Sequence, residues 1–319
     1  LMLYQQFIQI DYMKKPLLFL LVLDFLFLCG DSVYGNDFSD GLDAANRGDY
    51  NTAYKLWLPL AEKNNAESQF NLGAMYDQGK GVHPNGMRAF KWYKLSAEQG
   101  HPKAQFNLGE MYREGIIITR DFEKALAWYR LSAKNGLAEA QCNLGLMYAE
   151  GQGVKQSYKE AIKWYRLSAE QGYALAESNL GLMYEEGQGV QQNFEEAIEW
   201  YGLAAKQGLS GAQSKLGLMY QTGKGVIQNY KEAVRLYRES AEQGNVIGQK
   251  YLGVMYVLGQ GVSKDYVLAH MWFSISGSNG NQKALKNMRL LEEEMSPSQV
   301  EKAQKMTRKW KSNRLKQAK

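Results

Sequence analysis

The chain has few of the residues that build disulfide scaffolds and metal centres. Its 319 residues include 2 cysteines, 3 histidines and 5 prolines. Two cysteines cannot form a disulfide framework, and no Cys/His group has the spacing of a zinc site. The motifs of metalloproteases, of α/β-hydrolases and of serine β-lactamases are also missing. These absences direct attention away from the familiar enzyme classes.

Long apolar runs are also missing. The longest covers residues 17–28 and contains Asp24, so it is too short to cross a bilayer as a helix. It follows Lys14 and Lys15, and this layout is typical of a secretory signal. We therefore interpret Met13 as the true start, with an over-extended reading frame before it.

Cleavage of this signal is expected after Gly35, where small residues precede the cut. Two alternatives stay open: lipidation at Cys29, which the bulky Leu28 disfavours, and an uncleaved apolar anchor. The prediction is an exported protein, periplasmic or secreted, with no transmembrane span after cleavage. Cys142 would then be the one remaining cysteine, and we expect it to be buried and inert.

A repeat with a period of 36 residues dominates the rest of the chain. Each unit carries Leu-Gly, then Met-Tyr, then an aromatic pair. The Leu-Gly pairs lie at Leu72-Gly73, Leu108-Gly109, Leu144-Gly145, Leu180-Gly181, Leu216-Gly217 and Leu252-Gly253. The aromatic pairs are Trp92-Tyr93, Trp128-Tyr129, Trp164-Tyr165, Trp200-Tyr201, Leu236-Tyr237 and Trp272-Phe273. Six copies in one register predict a repeat array rather than separate domains.

Each unit is predicted to form two helices. In residues 174–207, apolar side chains recur at helical spacing, and Gly187 stands where the first helix should end. A capping side chain such as Asn193 then precedes the second helix, with Glu196 completing a capping box. The glycine within the first helix costs about 1 kcal/mol relative to alanine. Its recurrence predicts a close approach between the two helices.

Stacked helix pairs predict an all-α solenoid, because one pair alone cannot bury its apolar faces. We assign residues 36–64 to an N-terminal capping repeat and 65–280 to six repeats. Residues 281–312 are assigned to C-terminal capping helices and 313–319 to a basic tail.

The motif Ala-x-x-Asn-Leu-Gly-x-Met-Tyr-x-x-Gly-x-Gly-Val, followed by Ala-x-x-Trp-Tyr, resembles the Sel1-like (Sel-one-like) repeat family. The resemblance covers about residues 38 to 291. It implies a right-handed α-α superhelix, similar to tetratricopeptide repeats, whose first helices line a concave face. It also implies an adaptor or scaffold role, which in some bacterial members concerns host interaction or envelope processes. One branch acts on penicillins but has a disulfide in each repeat. This chain has none, so that activity is not carried over.

Four asparagines occupy one place on successive first helices: Asn71, Asn107, Asn143 and Asn179. The resemblance implies that this place faces the concave groove, where an amide can bond to the backbone of an extended peptide. The same place holds Lys215 and Tyr251, and Arg113 lies on the same face. We predict these seven residues as the partner-binding site, in a groove with an acidic middle. The alternative is that each asparagine only bonds to the neighbouring helix.

Three other features have structural interpretations. His270 stands at a core-facing place, so we expect it to be structural. The turn 115–120 reads Gly-Ile-Ile-Ile-Thr-Arg, where other units have Gly-x-Gly-Val. A β-branched residue in place of glycine predicts a changed backbone. The isoleucines then either form an exposed contact or repack locally.

The sequence thus predicts a non-catalytic exported protein that binds a protein or peptide partner and needs no cofactor. The alternatives are an envelope enzyme acting on peptidoglycan or a β-lactam, and a structural adaptor. The net charge of +5 also has a local origin, since residues 301–319 hold eight Lys or Arg and one Glu. Residues 36–300 are therefore close to neutral, which argues against nucleic-acid binding. The basic tail either touches an anionic surface or keeps the chain end soluble.

Overall fold

The protein is described by a computed structural model covering residues 34–317, which form 16 helices and no strand. The predicted start and signal lie outside these residues, apart from Tyr34 and Gly35, and stay a prediction. The N-terminal helices are α1 (Tyr34–Asn46) and α2 (Tyr50–Glu62). The first helices of the six repeats are α3 (Ala66–Gln78), α5 (Pro102–Glu114), α7 (Ala138–Glu150), α9 (Ala174–Glu186), α11 (Ser210–Thr222) and α13 (Val246–Leu258). The second helices are α4 (Gly86–Glu98), α6 (Phe122–Lys134), α8 (Tyr158–Ala169), α10 (Phe194–Lys206), α12 (Tyr230–Glu242) and α14 (Tyr266–Ser278), and the chain ends with α15 (Gln282–Glu292) and α16 (Pro297–Gln317).

The glycine that follows each first helix ends it as predicted. Gly187 adopts φ +67°, and its N–H donates to the carbonyl of Met183. Five other glycines at the same place in their repeats also have φ between +67° and +72°. This left-handed conformation suits glycine because it has no Cβ.

The predicted N-caps of the second helices also form, but the capping boxes form only in part. The Ser157 hydroxyl accepts from the amide N–H of Glu160, 3.3 Å away. The N–H of Ser157 itself donates to the carbonyl of Tyr148 at 2.8 Å. In a full capping box the Glu160 side chain would accept this N–H. Here the Tyr148 carbonyl accepts it, and Glu160 accepts from Lys163 instead. Asn193 and Asn229 likewise donate to tyrosine carbonyls.

The glycine within each first helix makes room for the tyrosine of the second helix. A Cβ built on Gly181 would lie 2.7 Å from Cδ1 of Tyr201, which is too close for two carbon atoms. Four other glycines at this place meet a tyrosine ring at 2.5 to 2.9 Å, and Gly253 meets the Phe273 ring at 2.7 Å. The close approach predicted from the sequence is confirmed, and the atoms that require it are those of the tyrosine ring.

Successive repeats are joined by buried polar contacts. The Ser168 hydroxyl donates to the carbonyl of Ala138, 30 residues earlier, at 2.7 Å. The Gln141 side chain donates to the carbonyl of Ala133 and accepts from Gln171. These bonds recur with the 36-residue period, and each helix packs mainly on the helices before and after it. The result is the helical solenoid that the period predicted.

In the turn 115–120, the second glycine of the pattern is found not in the turn but at the position that an aromatic residue occupies in the other repeats. Elsewhere a turn glycine such as Gly153 packs against the first residue of the preceding second helix, there Phe122. In the second repeat Ile117 stands at the turn and Gly86 at the helix start, and the Ile117 side chain covers Gly86. Ile117 has no positive φ, so the predicted backbone change is confirmed. Local repacking accounts for Ile117, while Ile116 stays 78% exposed.

The C-terminal helices close the array. Ser296 and Gln299 form a reciprocal capping box at the start of α16, with bonds of 3.3 and 2.8 Å. Helix α16 packs against α14, where Trp310 meets Trp272 edge to face. Within residues 34–317, we find no helix with both the length and the apolar character needed to cross a bilayer.

Candidate functional site on the first-helix face

The tyrosine hydroxyls mark one face of the solenoid. In four of the six repeats the tyrosine ring passes beside the glycine of the first helix, and its hydroxyl reaches the residue four places after that glycine. The Tyr201 hydroxyl donates to Glu185 at 2.7 Å, and the Tyr237 hydroxyl donates to Gln221 at 2.7 Å. We call the surface formed by places 70, 71, 74 and 77, and by their equivalents every 36 residues, the first-helix face. It contains all seven residues predicted to bind a partner.

A first polar cluster lies between the second and third repeats. Arg113 donates to Glu110 at 2.7 Å and to the Tyr129 hydroxyl at 3.2 Å. Tyr129 also donates to Glu110, and the Asn143 amide donates to the same carboxylate at 2.5 Å. Burial lowers the pKa of Arg113, but Glu110 outweighs it and raises that pKa above its usual range. Arg113 is therefore a charge held in place by its own chain.

Three of the four predicted asparagines are engaged with the preceding repeat. Asn143 is 8% exposed and bonds to Glu110, while the Asn179 amide lies 3.7 Å from the sulfur of Cys142. Asn107 hydrogen-bonds the Tyr93 hydroxyl. These contacts are the ones that the alternative interpretation expects. A role for the asparagines in binding a partner stays a prediction.

A second cluster joins the fourth and fifth repeats. Lys215 donates to Glu185 at 2.8 Å, and the two side chains are 29% and 18% exposed. The same carboxylate oxygen accepts from the Tyr201 hydroxyl. The sequence singled out Lys215 as an exception in the asparagine series, and the structure places a carboxylate of the preceding repeat against it. Here too the charge is compensated within the chain.

A cleft of about 490 Å³ lies where the face reaches α15. Its lining comes from α13 and α15: Lys250, Tyr251, Val254, Lys283, Lys286, Asn287 and Leu290. Tyr251 stacks on Tyr237 with ring centroids 5.1 Å apart, and the Lys250 ammonium lies 3.8 Å above the Tyr251 ring. Burial and the charge of Lys283 lower the pKa of Lys250.

Sequence reasoning missed Asn287. It stands 36 residues after Tyr251, so it occupies the place of the asparagine series on the capping helix α15. Counting one period beyond the six motif copies would have found it. The first-helix face therefore extends over seven helices.

His270 and Cys142 have the structural roles expected of them, and His101 also has a structural role. His270 is buried and bonds to Glu292 at 2.7 Å. His101 caps α5 through Nδ1 and stacks on Phe70. Cys142 is buried, and burial raises the pKa of its thiol to about 12, which leaves it protonated and unreactive. Among residues 34–317 no three His, Cys, Asp or Glu side chains are grouped to hold a metal ion.

Comparison with known proteins agrees with this architecture. A protective antigen of uropathogenic Escherichia coli strains, which displays an SLR fold, is 36% identical with a TM-score of 0.71. The match covers 82% of this chain and 56% of the antigen, so the chain spans little more than half of that protein. A Sel1 repeat protein from Oxalobacter formigenes is 34% identical with a TM-score of 0.71, covering 75% of this chain and 96% of that one. No curated protein matches the sequence.

The Sel1 repeat model matches the chain six times in succession. The matches lie at residues 66–101, 102–137, 138–173, 174–209, 210–245 and 246–281. They begin one residue after the predicted start of the array and follow its 36-residue period. Sel1 repeat proteins are typically protein-interaction scaffolds and generally non-catalytic. The chain belongs to the Sel1 repeat family.

Proposed function

We propose that this protein is a non-catalytic scaffold that binds an extended segment of a partner protein along its first-helix face. The observation that supports it best is the variation of this face between repeats whose packing positions hardly vary. Place 77 and its equivalents hold Asp77, Arg113, Ala149, Glu185, Gln221 and Val257. Packing does not demand such variety, whereas recognition of one particular partner does.

The proposal includes the concave groove and the predicted site. The groove is formed by first helices, and the asparagine series Asn71, Asn107, Asn143 and Asn179 lies along it. Arg113, Lys215 and Tyr251 add charge and aromatic surface at separate points. An extended segment could use the exposed edges of these side chains, while their bonds to the preceding repeat hold them in place.

The partner is proposed to be a protein or peptide rather than a nucleic acid. Residues 36–300 are nearly neutral, and binding along a phosphate backbone needs a continuous row of cationic side chains. Export to the periplasm or the cell exterior belongs to the same proposal, and the signal-like segment 13–35 supports it. The basic residues of α16 remain available for contact with an anionic surface.

Photocrosslinking in the native host tests the binding face. Benzoylphenylalanine would replace Glu150 or Glu186 beside the first-helix face, and Leu167 or Leu203 on second helices in control variants. Leu167 and Leu203 are 45% and 44% exposed, so the controls are equally able to meet a partner. We expect adducts from 150 and 186 with one defined protein. Adducts from the control positions alone would contradict the proposal.

A further inference from the structure

The cleft at the C-terminal end of the first-helix face gathers positive charge. Lys250 from α13 and Lys283 and Lys286 from α15 line it together with the apolar side chains of Val254 and Leu290. Lys250 is half-buried, and the two lysines of α15 are exposed at the rim. Three lysine side chains thus line a single opening of about 490 Å³.

None of these three lysines forms an ion pair with any residue of the range 34–317. The contact recorded for Lys250 is with the Tyr251 ring, and Lys283 repels it enough to lower its pKa. Glu292, on the same helix as Lys283 and Lys286, already bonds to His270. Like charges gathered without a carboxylate destabilise a folded chain, and an anionic ligand removes that cost.

The rest of the first-helix face shows how this chain treats its other charges. Arg113 is paired with Glu110, and Lys215 is paired with Glu185. In both cases the carboxylate comes from the preceding or the same repeat. At the cleft, the places equivalent to Glu110 hold Val254 and Leu290. Glu293 stands at the place equivalent to Glu185, but it follows the end of α15 and does not line the cleft. No acidic side chain among residues 34–317 therefore lines the opening.

We propose that this cleft binds acidic side chains of the partner segment. The inference rests on the proposed function, because it names the chemistry of one end of the bound segment. Carboxylates of Asp or Glu would pair with Lys283 and Lys286, and a neighbouring apolar side chain would cover Leu290 and Val254. The Asn287 amide, in the asparagine series, can donate to the backbone of the same segment.

Fluorescence anisotropy with a defined peptide tests the proposal on the full chain. The probe is a fluorescein-labelled octapeptide, Gly-Glu-Leu-Glu-Glu-Leu-Glu-Gly, and its counterpart has Gln at every Glu. We expect the Gln peptide to bind about tenfold more weakly, because it forms none of the ion pairs. The double variant Lys283→Gln/Lys286→Gln should weaken binding of the Glu peptide about fivefold.

A matched control separates the cleft from the general charge of the C-terminus. Lys305→Gln/Lys309→Gln removes the same number of charges from exposed positions on α16. It should change the affinity less than about twofold, because neither side chain lines the cleft and exposed charges are screened at physiological salt. Equal weakening by the two double variants would overturn the proposal, as would equal affinity for the two peptides.

Two further measurements test a lipid ligand and the folding of the variants. Binding to phosphatidylglycerol vesicles that depends on Lys283 and Lys286, with no peptide binding, would identify a lipid surface and overturn the proposal. Circular dichroism of each variant shows whether the helices are intact. If the cleft proposal fails while photocrosslinks still form at 150 and 186, the partner-binding function stands without its acidic end.

Discussion

The middle and the C-terminal end of the first-helix face treat charge in opposite ways. In the middle, Glu110 holds Arg113 and Glu185 holds Lys215, and a tyrosine hydroxyl completes each cluster. At the end, Lys250, Lys283 and Lys286 line one cleft without an acidic partner in the described chain. The charges of the middle lie at the equivalents of places 71, 74 and 77, whereas the lysines of the cleft lie at the equivalents of places 67 and 70.

The difference shows which positions the packing of the repeat does not determine. Packing fixes the glycine, the aromatic ring that it faces and the alanines of every unit, so the helix positions are the same throughout. The places on the first-helix face are free of that demand, and a single residue at each decides whether a charge is satisfied within the chain. A charge paired internally supports the array, whereas a charge left unpaired is available to a ligand.

The largest predicted effect comes from displacing Tyr201 from the cluster that it forms with Glu185 and Lys215. Gly181→Ala places a Cβ against the Tyr201 ring, which displaces the hydroxyl from Glu185. We expect a loss of about 2 kcal/mol in the free energy of unfolding, because overpacking outweighs the gain in helix propensity. Urea denaturation followed by circular dichroism measures it.

Gly202→Ala is the matched control for that variant. Gly202 also lies within a helix, but an added Cβ meets nothing within 4 Å. It should stabilise the protein by up to about 1 kcal/mol. Equal effects of the two substitutions would refute the packing role of Gly181.

Glu185→Gln removes the carboxylate of the second cluster, and Lys286→Gln removes a charge from the cleft for comparison. The Lys215 ammonium would lose its carboxylate, and we expect a loss of about 1 to 2 kcal/mol in stability. Lys286→Gln should change stability by less than about 0.5 kcal/mol, because Lys286 has no ion pair to lose within the described chain. Thermal or urea unfolding of the two variants side by side measures the contrast. A larger loss from Lys286→Gln would reverse it.

Glu177 is a buried acidic residue of the fourth repeat that departs from the repeat pattern. Five other units have glutamine at this place, where its amide donates to an alanine carbonyl, as Gln141 does to Ala133. Glu177 is 3% exposed and cannot make that bond when ionised. Glu177→Gln should therefore stabilise the protein by about 1 kcal/mol at pH 7.

The gain from Glu177→Gln should depend on pH. Burial raises the pKa of Glu177 above its ordinary value of 4.5. The folded protein therefore binds more protons than the unfolded chain just above pH 4.5, and the wild type loses stability as the pH rises through that window. Urea unfolding should show a smaller gain at pH 4 than at pH 7. A gain that does not vary with pH would contradict the assignment.

The smallest predicted effect is at the cleft itself. Burial lowers the pKa of Lys250, so the unfolded chain binds more protons and the wild type gains stability as the pH rises towards 10.5. Lys250→Gln should stabilise by about 0.5 kcal/mol at pH 7, and by less at pH 10. Urea unfolding at the two pH values measures the difference. A destabilised variant would show that Lys250 has a structural role.

Most of the fold could be predicted from the sequence, because its determinants repeat. The glycine at 73 and its equivalents, the capping side chains and the apolar spacing each occur six times, and one physical explanation covers every copy. The exchange between Gly86 and Ile117 could not be predicted, because the two positions are 31 residues apart and their contact depends on how the repeats stack. The carboxylate partner of Asn143 was hidden for the same reason.

The candidate site was predicted only in outline. The asparagine series and its exceptions at Lys215 and Tyr251 follow from the period alone. Which of these side chains is already bonded depends on the neighbouring helix, and so does the meeting of Lys250 with Lys283. Counting one more period would have included Asn287, but the cleft around it needs the placement of α15.

The most direct measurement is to map where an acidic segment lies. The Glu octapeptide, carrying a benzophenone at its N-terminus, would be irradiated with the protein, and the attachment sites located by mass spectrometry. The account predicts attachment to α13 and α15 around Tyr251 and Leu290, and loss of it in Lys283→Gln/Lys286→Gln. Attachment mainly to second helices or to the basic residues of α16 would contradict it.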